Sequence, residues 1–426
     1  MPRRILIAPN AFKGSCSALV AAAAMAEGVL RACCACKPRQ LPMADGGDGM
    51  LEILEHLWRP QQQVERHRLR VTGPRGKQVT AALLWLPAER TAAIEMALAS
   101  GLALLGPTER DPLHTTTWGT GECLRAALDL GARRILIGLG GSATHDGGMG
   151  AASALGYRFL DARGQQLPPM GASLNQVARI DASGADPRLH TADIIAIRDV
   201  ANPLCGPQGA AAIYAPQKGA RPDQIPMLDA GLRQLAECYA RDLGQKVAEQ
   251  PGSGAAGGLG AGLLACCNAR LEPGASYLLD LAGFAERLQE SDLVLTAEGQ
   301  VDASSLQGKA TGVIAARAAA AAVPCIAIAG RLPSSASERQ ALHHAGLTAL
   351  FSLCPGPMTL AQAEAEVGEL LATATEDVIR LWLSAHPREK PWAPRPDVGG
   401  RAIGERELLS LPWHISHAHG GVASSC

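Results

Sequence analysis

The chain is 426 residues long, 47% hydrophobic but only 3% aromatic, and carries a formal net charge of -1. That length suits two domains, or one large domain with an appendage, packed mainly by Ala, Leu, Val and Ile. Lacking a basic block or a run of about 20 uncharged apolar residues, it is expected to engage neither nucleic acid nor a membrane.

Residues 4–9 open as a short apolar run that reads as a buried strand, and 17–32 follow with helical spacing of Ala, Leu, Val and Met. A strand-then-helix start is not an export signal, so a cytoplasmic protein is expected, with its 12 cysteines reduced. Cys33, Cys34 and Cys36 cluster at that helix end without further metal ligands at suitable spacing. Residues 40–44 read as a second strand, ending at Asp45-Gly46-Gly47-Asp48-Gly49 before a helix at about 50–58.

The middle reads differently. Residues 67–72 and 78–86 look like antiparallel strands around the turn Gly73-Pro74-Arg75-Gly76. A strand at 134–138 leads into a glycine-rich loop, and several helices follow. The β-α rhythm then returns: strands at 292–296, 324–329 and 347–353 alternate with helices at 309–322 and 335–345. Five strands from the two chain ends are therefore expected to form one doubly wound sheet, with a second α/β domain inserted. The division is 1–64 with 289–384, interrupted by 65–288. From 385 to 426 the Pro- and Gly-rich composition predicts a disordered or loosely docked tail. In it 405–411 has an amphipathic, helical spacing, and His414, His417 and His419 are weak candidate chelators.

Two loops offer anion-binding chemistry. The first, 138–150, follows a strand and precedes a helix. Gly140 and Gly141 would let backbone N–H groups approach an oxyanion, while Ser142, Thr144 and Asp146 add polar side chains. The second, 251–262, contains Gly254, Gly257 and Gly258 and opens a helix at 259–268. The alternative for both is a tight turn that needs glycine for packing. Neither carries a dinucleotide fingerprint, and Gly308-Lys309-Ala310 is not a P-loop.

Acids gather where strands end: Asp45 and Asp48, Asp199 just before Asn202-Pro203, and Glu298 with Asp302. Ligands of doubly wound sheets bind at those ends. Carboxylates there suit Mg²⁺ carrying nucleotide phosphates, or a base for an attacking hydroxyl. Lys13, Lys218 and Lys309 are candidate point charges for phosphate or carboxylate.

Taken together, Ala8-Pro9-Asn10-Ala11-Phe12-Lys13, Ala44-Asp45-Gly46-Gly47-Asp48-Gly49, the 138–150 loop, Asp199 to Leu204, Pro216-Gln217-Lys218-Gly219, the 251–260 loop and Glu298 to Lys309 resemble the bacterial type-1 glycerate kinase family (glycerate 2-kinases). The resemblance runs in order through about residues 3–380. It implies a flavodoxin-like domain made by both chain ends, with a restriction-endonuclease-like α/β domain inserted between them. It also implies ATP, Mg²⁺ and D-glycerate as partners and 2-phosphoglycerate as product. On it, Asp45, Glu298 and Asp302 would hold Mg²⁺ or take the hydroxyl proton, and Lys13 and Lys309 would stabilise the transferring phosphoryl group. One loop would hold each substrate, with Asp199, Asn202 and Lys218 beside them; which loop takes ATP stays open, as does a homodimer. Three positions depart from the family pattern: Gln300 stands where arginine is common, Arg198 where a small residue is, and His145 where asparagine is. An NAD-dependent hydroxy-acid dehydrogenase and a non-catalytic carboxylate sensor are the rival expectations.

Overall fold

The computed structural model describes residues 2–386; from 387 onward the expected tail, with its 405–411 piece and its histidines, lies outside the described residues. Met1–Arg380 form one compact unit, and of the second, which starts at Leu381, the described part is helical as far as Ala385. Among the described residues no helix is long and apolar enough to cross a membrane.

In chain order the strands are β1 (Arg4–Ile7), β2 (Lys37–Gln40), β3 (Glu65–Thr72), β4 (Gln78–Leu86), β5 (Thr91–Glu95), β6 (Arg134–Gly138), β7 (Arg158–Leu160), β8 (Arg179–Asp181), β9 (Asp193–Arg198), β10 (Arg270–Pro273), β11 (Leu293–Gln300), β12 (Cys325–Arg331) and β13 (Ala349–Ser352). One sheet is wholly parallel, in the order β13-β12-β11-β1-β2. Counted along the chain, its five strands run 2-1-3-4-5, the flavodoxin order, so the winding reverses between β1 and β11. Ile5, Leu6 and Ile7 are all buried, as a central parallel strand covered on both faces requires.

The second sheet has six strands in the order β10-β9-β6-β5-β4-β3. From β10 to β5 the pairs are parallel; β5-β4 and β4-β3 are antiparallel. The expected hairpin closes with Thr72 opposite Gln78, and Gly73 N–H donates to the Lys77 carbonyl at 2.7 Å. A buried cluster belongs to both sheets: Leu6, Met43 and Leu54 pack with Leu84, Leu136 and Ile197.

Two expectations shift. The second strand is Lys37–Gln40, not 40–44. It lies at the sheet edge, where a polar Lys-Pro-Arg-Gln strand is tolerated, and the apolar segment after it continues the pairing only through Leu41 N–H to Ile7 O and Met43 N–H to Pro9 O. The helix expected at 259–268 is regular from Leu259, but the helical turn starts at Ala255 and is broken by positive φ at Ala256, Gly257 and Gly258.

Candidate active site

The strand-end acids meet at the carboxyl end of the parallel sheet. A cleft of about 740 Å³ opens where β1 and β11 part, lined by Asn10, Lys13, Asp45, Glu298, Gln300, Lys309 and Arg331. Asp199, which follows β9, enters it from the six-stranded sheet. A smaller hollow of about 340 Å³ shares residues 10–13 and Asp45 with it and adds Asp48 and Glu52.

Local bonding aims each carboxylate. Asp45 Oδ2 accepts from Asn10 Nδ2 at 3.3 Å and its Oδ1 from Gly47 N–H at 3.3 Å, so the turn after β2 holds the side chain toward β1. Glu298, on the last turn of β11, is buried and accepts from Ser305 Oγ at 2.9 Å. Burial raises its pKa, the Ser305 hydrogen bond, the nearby Thr311 hydroxyl and the Lys309 charge pull it back, and Asp45 adds to the rise. Asp199 is also raised, by burial first and then by the Asp45 charge, against its own backbone N–H, Lys13 and Lys309. Lys309 caps the helix Ala310–Ala320 and donates from Nζ to Ser304 Oγ at 2.7 Å, while Lys13 is exposed on the cleft.

Several expected residues do other work. Asp302 caps the turn Ala303–Leu306: its Oδ1 accepts from Ser304 N–H at 2.8 Å and its Oδ2 from Gln300 Nε2 at 2.5 Å. Burial pushes its pKa up, but the Ser304 and Gln300 bonds outweigh that and leave it below the ordinary range. Among the described residues no three His, Cys, Asp or Glu side chains are grouped to hold a metal ion, so Asp45, Glu298 and Asp302 do not form a ready-made ligand set.

The glycine-rich loops pack closely on each other. A Cβ on Gly257 would lie 2.0 Å from the Thr144 carbonyl oxygen, and one on Gly258 2.8 Å from Gly147 Cα. Gly254 fits under the Pro203 carbonyl, and its N–H donates to Asn202 O at 3.1 Å. Asn202 Nδ2 donates to Gln208 O at 2.8 Å, and its Oδ1 accepts from the Tyr214 hydroxyl at 2.6 Å. Asp146 is fully buried and accepts from Thr117 N–H (2.7 Å), Thr117 Oγ1 (2.8 Å), Gly148 N–H and Gly150 N–H (both 3.1 Å). It pins the start of the helix Trp118–Asp129 to the loop. Lys218 is buried too, donating to Ser142 Oγ at 2.7 Å and Thr144 O at 2.8 Å; burial pushes its pKa down to about 7, against the pull of Asp146. Gly140 and Gly141 lie against Gly47 and Asp48, where the two sheets meet.

The segments that form this cleft can be set against known proteins. The family model described as the glycerate kinase family matches residues 5–383. The glycerate kinase of Bacillus subtilis (strain 168) is 42% identical over 377 residues, which is 88% of this chain and 96% of the relative. The chain belongs to the glycerate kinase family. The glycerate 2-kinase of Escherichia coli (strain K12) is 41% identical over 360 residues, covering 84% of this chain and 93% of its own. The crystal structure of a protein assigned as glycerate kinase 2 from Salmonella typhimurium LT2 superposes with a TM-score of 0.77 at 39% identity, over 90% of this chain and 99% of that one.

Within the glycerate kinase fold of this chain the three departures have distinct settings. Gln300 is exposed and bonded to Asp302, so it orients a cap. Arg198 lies under Gly252 and donates to Val200 O at 3.0 Å. His145 is fully buried, neither ring nitrogen has a hydrogen-bond partner among the described residues, and burial followed by the Lys218 charge pushes its pKa down to about 3. Reading the sequence missed Arg331, paired in register with Gln300 across β11 and β12, and the largely apolar wall made by 353–367. Both reach the cleft only through the sheet order. Glu95 was given no role by the sequence reading. It ends β5, is buried, and accepts from Leu51 N–H at 2.8 Å, which supplies the helix Met50–Trp58 with the cap its own Gly49 lacks.

Proposed function

We propose that this chain transfers the γ-phosphoryl group of ATP to the 2-hydroxyl of D-glycerate, giving 2-phosphoglycerate and ADP. The observation that carries the reading is the switch-point cleft, where Lys13 and Lys309 face Asp45, Asp199 and Glu298 in a member of the glycerate kinase family. Phosphoryl transfer depends on positioning and on stabilising charge, which is what two cations among strand-end acids provide.

The hydroxyl oxygen attacks the γ-phosphorus, and the bond from that phosphorus to the β–γ bridging oxygen breaks. Glu298 takes the hydroxyl proton; its raised pKa brings it closer to the operating pH, as a general base requires. Lys309, tethered through Ser304, and Lys13 neutralise the phosphoryl oxygens. Asp45 and Asp199 fit Mg²⁺ arriving with the nucleotide, because the Asp45 charge disfavours ionisation of Asp199 until a cation sits beside them, and the ion needs few protein oxygens. When bound, that ion would neutralise charge on the transferring group. The segments 1–64 with 289–384 and 65–288 then act as two lobes whose closure excludes water and limits ATP hydrolysis.

Purified protein with Mg²⁺, ATP and D-glycerate, followed by phosphorus NMR, tests this. A phosphomonoester on C2 is expected. An ester on C3 would correct the position, and no ester would overturn the reading.

A further inference from the structure

One side of the cleft has no part in the chemistry above. Leu353, Met358, Leu360, Ala363 and Val367 line it, interrupted by the polar Cys354, Thr359 and Glu364. Leu353 and Val367 are buried, whereas Leu360 is 75% exposed, the most open of the large apolar side chains among the described residues. Such a side chain gains from a flat apolar ligand laid over it. The wall is held beside the loop after β1, because Ser15 Oγ donates to the Glu364 carbonyl at 3.1 Å. Arg331 opens onto the same cleft from the end of β12, with no carboxylate paired to it among the described residues. Toward the switch point the cleft turns cationic and acidic. Thus one cleft grades from a largely apolar wall to the charged switch point, with the Arg331 guanidinium in its lining.

We propose that this gradient sets the direction of the nucleotide: its base and ribose lie on the wall around Leu360, and Arg331 contacts the polyphosphate on its way to Lys309. The occupant is a nucleoside triphosphate because only a ligand with an apolar planar end and an anionic chain matches both ends of one cleft of about 740 Å³. A guanidinium fork binds phosphate oxygens in bidentate geometry. Neither glycine-rich loop is needed to hold the nucleotide. The inference rests on the cleft being the phosphoryl-transfer site.

The test uses the whole chain, with ADP and inorganic tripolyphosphate as binding probes and Mg²⁺ present. Leu360→Asn should raise the Kd for ADP and the KM for ATP about tenfold, the loss of one well-covered apolar contact. It should leave tripolyphosphate binding and the KM for D-glycerate unchanged, since neither ligand has a base. Arg331→Gln should weaken ADP and tripolyphosphate alike, again about tenfold. Both side chains are exposed, so matched thermal unfolding curves are expected. Unchanged ADP binding in Leu360→Asn, or equal weakening of tripolyphosphate, would overturn the base assignment. Unchanged tripolyphosphate binding in Arg331→Gln would overturn the phosphate contact. Wild-type protein that shows this binding pattern yet makes no phosphoglycerate would leave the orientation standing and remove the proposed acceptor.

Discussion

The glycine-rich loops of the six-stranded sheet and the glycine-poor rim of the five-stranded sheet look like rivals for the same task, and they divide the work. In the loops at 138–150 and 251–262 glycine lets backbone lie on backbone, as at Gly257 under the Thr144 carbonyl. At the rim, side chains with charge line open space. Glycine density therefore reports how closely two chain segments approach, and only an adjacent cavity turns that approach into a ligand site.

The comparison can be broken first at the rim. Asp45→Asn should lower kcat by about a thousandfold with little change in melting temperature, because the side chain faces the cleft and is not core. Asp302→Ala is the matched control: a lost cap, costing about 1 kcal/mol of stability, with turnover within about threefold of wild type. Steady-state rates and thermal melts on both variants decide whether the two acids differ as their bonding says. The loops come next. Gly257→Val places a side chain at φ +67° and 2.0 Å from a carbonyl oxygen, so a loss of about 3 kcal/mol or more is expected in denaturant unfolding. The folded fraction should still turn over at the normal rate; a selective loss of activity would return the loop to the catalytic machinery.

The smallest effect is at the contact between the regions. Burial pushes Glu95 up to about 7, with Asp48 adding and the Leu51 N–H opposing. Between its ordinary value of 4.5 and about 7 the folded chain keeps a proton that the unfolded chain has lost, so this group's contribution to stability falls as pH rises through that window and levels off above it. Glu95→Gln keeps an acceptor for Leu51 and removes the titration. Its melting temperature should gain on wild type by on the order of a few degrees from pH 4.5 to 7. A constant difference across that range would rule the effect out.

Much of the parallel sheet was legible because buried strands such as Ile5-Leu6-Ile7 and Leu293-Val294-Leu295 are apolar without interruption. β2 was misplaced because an edge strand needs no such run. The strand-end acids were legible through the rule that doubly wound sheets bind ligands there. That Asp302 caps a turn was not legible, because residue type does not distinguish a carboxylate that caps a turn from one that faces a cleft. Nor was the bonding of Asp146 in the 138–150 loop, whose four donors come from two segments about 30 residues apart in sequence. Arg331 and Leu360 could not be found without knowing that β12 and the segment after β13 flank β11.

Gly46, Gly47 and Gly140 have a mechanical consequence. Gly140 N–H donates to Gly46 O at 3.0 Å, and a Cβ there would lie 2.4 Å from Gly47 Cα. At this point the two sheets meet backbone to backbone with no side chain as a spacer, one residue from Asp45. A rotation of one sheet on the other about this contact would leave Asp45 with almost no lever arm, so the carboxylate beside the pivot would keep its aim.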